Sequence, residues 1–88
     1  MIIVSQGKGK IINFDNMTRV YITFDKGDDV CIRTETVDSL YEDLGYYKTE
    51  ERAKEVLQEI VTRYKNWANM KVGQPSGVCL PVYEMPED

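Results

Sequence analysis

MTRVYITFDKGDDVCIRTE, residues 17–35, reads as two strands joined by a polar turn, and its register decides the fold. Val20, Ile22 and Phe24 alternate with Arg19, Tyr21 and Thr23, the two-residue period of a half-buried strand. After Asp25-Lys26-Gly27-Asp28-Asp29, Val30, Ile32 and Thr34 alternate in the same way with Cys31, Arg33 and Glu35. A two-residue loop at Lys26-Gly27 would set Val30 opposite Thr23 and put the two apolar sets on opposite faces. A longer loop, pairing Phe24 with Val30 and Ile22 with Ile32, puts both sets on one face, and a sheet with one buried side requires that register. The outer face then carries Tyr21 opposite Arg33 and Arg19 opposite Glu35.

Upstream, Ile2–Ser5 and Ile11–Phe14 read as strands around the turn Gln6-Gly7-Lys8-Gly9-Lys10, so residues 1–36 are β hairpins. Downstream, Val37–Asp43 fits either a loop or one helical turn, and Leu44–Lys48 either a short strand or an extended connector. Thr49 is an N-cap, with Glu50 and Glu51 placed where the helix dipole favours negative charge. Ala53, Val56, Leu57, Ile60, Val61, Tyr64 and Trp67 or Ala68 then recur at helical spacing, predicting a helix over 49–69. Asn69 and Gly73 are stop signals, and Gly73–Gly77 a loop. Residues 78–85 form the last strand, which Pro81 confines to an edge or a bulge, before an acidic end. The expected architecture is α+β: a single domain over 1–88 with an antiparallel sheet of four to six strands and one long amphipathic helix packed on one face. Phe14, Phe24 and Tyr64 are assigned to the core.

Composition narrows the function classes. An 88-residue chain that is 42% hydrophobic and 30% charged is an ordinary globular chain with one modest core. No apolar run approaches the roughly 20 residues of a membrane span. Met1-Ile2-Ile3-Val4 is too short for the apolar region of a signal peptide, so a cytoplasmic location and no membrane partner are expected. The net charge is −4, with residues 1–36 neutral and no strongly basic segment, which argues against duplex nucleic acid as a partner. Cys31 and Cys79, 48 positions apart with no histidine, read as core or near-core thiols of a reducing compartment, a disulfide being the alternative.

Catalytic patterns do not assemble. Histidine is absent from the sequence, which removes the commonest general base. Ser5, Ser39 and Ser76 lie outside any nucleophile-elbow pattern. Glu50, Glu51, Glu55 and Glu59 read as a solvated helix face among Lys54 and Arg63. Asp25, Asp28 and Asp29 lack calcium-loop spacing and read as a hairpin turn. Gly7-Lys8-Gly9-Lys10 leads into Ile11-Ile12, a strand, whereas a phosphate loop leads into a helix. The expectation is a binder, not an enzyme, with no cofactor and no metal.

Aromatic residues are the surplus. Tyr21, Tyr41, Tyr46, Tyr47, Trp67 and Tyr83 exceed what one small core hides, and Tyr and Trp are favoured at interfaces and stacking sites. Arg19, Tyr21 and Arg33 on the outer face, with Tyr46 and Tyr47 just before the helix, are the candidate contacts for a ligand or partner. The same residues also read as a purely structural Tyr–Arg stack with an Arg19–Glu35 pair.

The segments IIVSQ (2–6), IINFDN (11–16), GYYKTEERAKEVLQEI (45–60) and VYEMPED (82–88) together resemble small uncharacterised proteins of Gram-positive (Firmicutes) bacteria and of their phages and prophages. The resemblance spans nearly the whole chain, and the connector Ala68–Gly77 is longer than its pattern. It implies a cytoplasmic phage- or prophage-type protein and no particular activity; by analogy with small phage proteins of this size, stoichiometric binding to a host or phage protein, in counter-defence for instance, is expected. A nucleotide-like small molecule, sequestered as a defence signal, is the alternative ligand. Self-association into a homo-oligomer is expected as well, from an edge strand and an exposed hairpin.

Overall fold

The structure is a computed structural model that describes residues 1–24, 29–73 and 82–88, the helix over 67–73 as backbone only. β1 (Ile2–Val4) and β2 (Ile11–Asn13) pair antiparallel around the glycine–lysine turn. Gly7 takes φ +79° there, a left-handed conformation that costs glycine little. Ser5 closes the turn, its N–H donating to the Lys10 carbonyl at 2.9 Å while its Oγ accepts from the Lys10 N–H at 3.1 Å.

β3 (Arg19–Phe24), β4 (Val30–Glu35) and β5 (Tyr41–Tyr47) form an antiparallel meander with β4 in the middle. Phe24 lies opposite Val30, Ile22 opposite Ile32, Tyr21 opposite Arg33 and Arg19 opposite Glu35, the register that parity required. α1 (Glu50–Gly73) follows, its first turn capped by Thr49, whose Oγ1 accepts from the Arg52 N–H at 3.0 Å. β6 (Val82–Glu84) returns beside β1, with Tyr83 opposite Ile3.

The fold is α+β, but the expected single antiparallel sheet is two three-stranded sheets, β2-β1-β6 and β3-β4-β5. The chain leaves β2 through a single 3₁₀ turn at Phe14–Asn16, where the Asn13 side chain accepts the Asp15 N–H at 3.1 Å. That turn redirects β3 into a second sheet instead of laying it beside β2. β6 also runs parallel to β1, not antiparallel. Parallel neighbours need a long crossover, and the stretch containing α1 supplies it. Within elements, α1 runs through Asn69 to Gly73, because asparagine in a helix interior costs only a few tenths of a kcal/mol, about half the glycine penalty. β5 begins at Tyr41, earlier than Leu44. Pro81 and residues 78–80 lie outside the described residues, as do the turn at 25–28 and Cys79.

Both sheets and α1 share one core. Met1, Ile3, Ile12 and Tyr83 enter it from the first sheet, Val30, Ile32, Leu44 and Tyr47 from the second, and Ala53, Val56 and Ile60 from α1. Phe14 packs against its edge. Phe24 and Tyr64 do not belong to it: Phe24 is 65% and Tyr64 41% exposed. Parity gives Phe24 its face, but it is the last residue of an edge strand, where cover runs out. Tyr64 stands one turn beyond Ile60, at the fringe, and meets the Phe14 ring edge-on at 6.3 Å.

Candidate binding face

The outer face of β3-β4-β5 is built from two carboxylates, each holding an arginine and a tyrosine. On the β3 side, Arg19 Nε donates to Glu35 Oε2 at 2.9 Å and the Tyr21 hydroxyl donates to Glu35 Oε1 at 2.6 Å. The Arg19 guanidinium also stacks 4.9 Å over the Tyr21 ring. On the β5 side, Arg33 Nε donates to Asp43 Oδ1 at 2.6 Å and the Tyr46 hydroxyl donates to Asp43 Oδ2 at 2.7 Å. Arg33 lies 4.3 Å over the ring of Tyr41. Cys31, a free and fully buried thiol, sits beneath this second group.

A β-bulge makes the second group. The pairing of β4 with β5 slips between Ile32 and Arg33, so that Ile32 faces Gly45 while Arg33 faces Asp43 and Leu44 is the extra residue. Asp43 and Tyr46, three positions apart, thereby come to one face, and Tyr47 turns inward. Gly45 suits the site because a Cβ there would come within 3.1 Å of both Gln6 Cβ and the Tyr47 hydroxyl. The close approach lets the Gln6 side-chain amide act as a strand neighbour to β5, accepting from the Tyr46 N–H at 2.7 Å and donating to the Tyr46 carbonyl at 2.9 Å.

Electrostatics follow the geometry. The Tyr21 hydroxyl and then Arg19 hold the Glu35 carboxyl below its ordinary value. Arg33, with Tyr46 and Cys31 assisting, does the same for Asp43. The bond to Asp43 raises the Tyr46 phenol. Burial, and then the Asp43 charge, push the Cys31 thiol up to about 11, which makes it a poor nucleophile at neutral pH.

Four of the five residues singled out from the sequence, Arg19, Tyr21, Arg33 and Tyr46, therefore share one face. Tyr47 does not join them: it is buried, its hydroxyl donates to the Pro86 carbonyl at 2.8 Å, and burial raises its phenol to about 12. Tyr46 and Tyr47 do meet again at a cleft of about 210 Å³, where Lys48 and Arg52 stand against Asp29, Glu87 and Asp88. Sequence reading missed Tyr41 and Asp43 as members of the face. Gly45 inside a strand was the signal for the bulge that recruits them. Elsewhere, Lys10 of the glycine–lysine turn is bonded to Glu42 at 2.7 Å, and Arg52 pairs with Glu55 at 3.2 Å and Glu59 at 3.7 Å. Among the described residues no group of three or more His, Cys, Asp or Glu is placed to hold a metal ion, and no helix is long and apolar enough to cross a membrane.

Compared with protein-family models, with curated proteins and with solved structures, the chain matches none.

Proposed function

We propose that this chain is a non-catalytic protein that acts stoichiometrically, binding a host or phage protein through the outer face of β3-β4-β5. The observation that carries the reading is the internal pairing of that face. Arg19 and Arg33 are bonded to Glu35 and Asp43, and the hydroxyls of Tyr21 and Tyr46 to the same two carboxylates. An anionic ligand would have to compete with both carboxylates for the guanidinium groups. A protein partner gains instead from rings held in place before contact, because tyrosines fixed in advance lose little conformational entropy on binding. Tyr41, 57% exposed, and Tyr46, 40% exposed, are the rings on offer.

The nucleotide reading has less support. The cleft at Tyr46 and Tyr47 is smaller than the roughly 300–1,000 Å³ of drug-sized sites, and its three carboxylates outnumber its two cations. A cytoplasmic phage- or prophage-type role in counter-defence is the setting that the sequence resemblance suggests.

Affinity capture from a Gram-positive host lysate tests the proposal. One protein retained in near-equimolar amount by the wild type, and lost with the double variant Tyr41→Ser/Tyr46→Ser, is the expected result. A melting temperature raised by a nucleotide or cyclic nucleotide, together with capture indifferent to the double variant, would overturn it. A ligand at 100 times its Kd stabilises by about 2.7 kcal/mol, so such a shift is readily seen.

A further inference from the structure

The hairpin turn between β4 and β5 presents two aliphatic side chains to solvent, Val37 at 80% and Leu40 at 68% exposure. It is a closed turn: the Thr36 N–H donates to the Leu40 carbonyl at 2.8 Å and the Ser39 N–H to the Thr36 carbonyl at 3.1 Å. Ser39 takes φ +67°, a left-handed conformation that is uncommon outside glycine. Aspartate or glycine would serve such a turn in water; a fixed turn that holds valine and leucine outward is shaped for contact.

An apolar concavity lies toward the same end of the sheet. Phe14, Val20, Ile60, Val61 and Tyr64, with Lys65, enclose a cleft of about 260 Å³ whose lining exposes only apolar atoms. Val20 stands opposite Thr34, two residues before the turn begins, and Thr18 donates to the Glu35 carbonyl at 2.8 Å. The apolar knob and the apolar hole are therefore neighbours at one end of the meander. Their charges are complementary too, with Asp38 on the knob and Lys65 in the lining of the hole.

We infer that a second copy of this chain is the occupant. Two copies related by a two-fold axis each seat Val37 and Leu40 in the other's cleft, with Asp38 facing Lys65. A knob and its complementary hole side by side on one surface are what such an isologous interface needs, since each contact is then made twice and the assembly closes. The turn adjoins Tyr41, but the interface uses neither Tyr41 nor Tyr46 nor the two carboxylate groups, so its failure leaves the partner-binding proposal standing.

Sedimentation equilibrium over micromolar to millimolar protein is the test. The wild type is expected to dimerise, and Leu40→Asp and Val61→Asp each to raise the dimer Kd by about tenfold or more. Asp38→Lys and Lys65→Asp each weaken the dimer, and the double variant D38K/K65D recovers it. Leu40 is exposed, so L40D keeps the monomer's thermal unfolding and remains informative if V61D does not fold. A wild type that stays monomeric throughout, or a dimer indifferent to L40D and to the charge exchange, overturns the inference.

Discussion

The two faces of the β3-β4-β5 sheet are made from the same three strands and do opposite things. Inward, Val30, Ile32, Leu44 and Tyr47 are buried against α1 and the first sheet, and hold the fold by area removed from water. Outward, Arg19, Tyr21, Arg33, Glu35, Asp43 and Tyr46 bond to one another across strands, with Arg19 well exposed and Arg33, Glu35 and Asp43 part-buried. The exposed Arg19 end of that network therefore adds little stability, and the part-buried Arg33–Asp43 end adds more. On the proposed reading this ordered network is the recognition surface, and its internal neutrality sets the kind of partner it suits.

The largest expected effect lies inward. Ile32→Ala removes a fully buried side chain at the centre of the meander, and urea unfolding should give a loss of about 2–5 kcal/mol. A loss below about 1 kcal/mol would mean that the inner face is not the stabilising one.

The pH dependence of stability sharpens the contrast, because the outer face holds Glu35 and Asp43, the described carboxylates whose titration is displaced. Glu35 and Asp43 titrate lower folded than unfolded, so the unfolded chain takes up protons first as the pH falls. Their contribution is present above the ordinary carboxylate range and is lost as the pH drops through and below about 4. Cys31 is the opposite case: its thiol moves from 9.0 to about 11 on folding, so stability declines as pH rises across that window. Urea midpoints measured against pH should fall at both ends. Asp43→Asn should lessen the acid limb, leaving the part due to Glu35, and Cys31→Ala the alkaline one, leaving the part due to Tyr47; limbs unchanged in these variants would place the titration elsewhere.

The smallest effect belongs to the exposed end of the network. The Arg19 side chain is 66% exposed, and Arg19→Gln should cost under about 1 kcal/mol, less again in high salt. A cost comparable to that of Ile32→Ala would erase the distinction between the faces.

What the sequence made legible follows the range of each physical rule. Two-residue alternation and the requirement for one apolar side settled the β3–β4 register and paired Tyr21 with Arg33 and Arg19 with Glu35. Thr49 and the apolar spacing from Ala53 to Ile60 placed the start and the buried stripe of α1. Strand neighbourhood was not legible, since alternation says which face a residue takes but not which strand lies beside it; hence the division into two sheets and the parallel β1–β6 pair escaped. The bulge at Leu44 reversed parity in β5, so Asp43 joined the face with Tyr46 while Tyr47 turned inward. Phe24 and Tyr64 show the last limit, because pattern does not report how far the neighbouring elements extend.

The claim that the outer face spends its charge internally rests most heavily on Arg33 and Asp43, the part-buried pair at 2.6 Å. A double-mutant cycle with Arg33→Gln, Asp43→Asn and the combined variant, followed by urea unfolding, measures that commitment directly. A coupling energy of about 1–2 kcal/mol is predicted for a charge-assisted hydrogen bond largely removed from water. Coupling within about 0.3 kcal/mol of zero would contradict it.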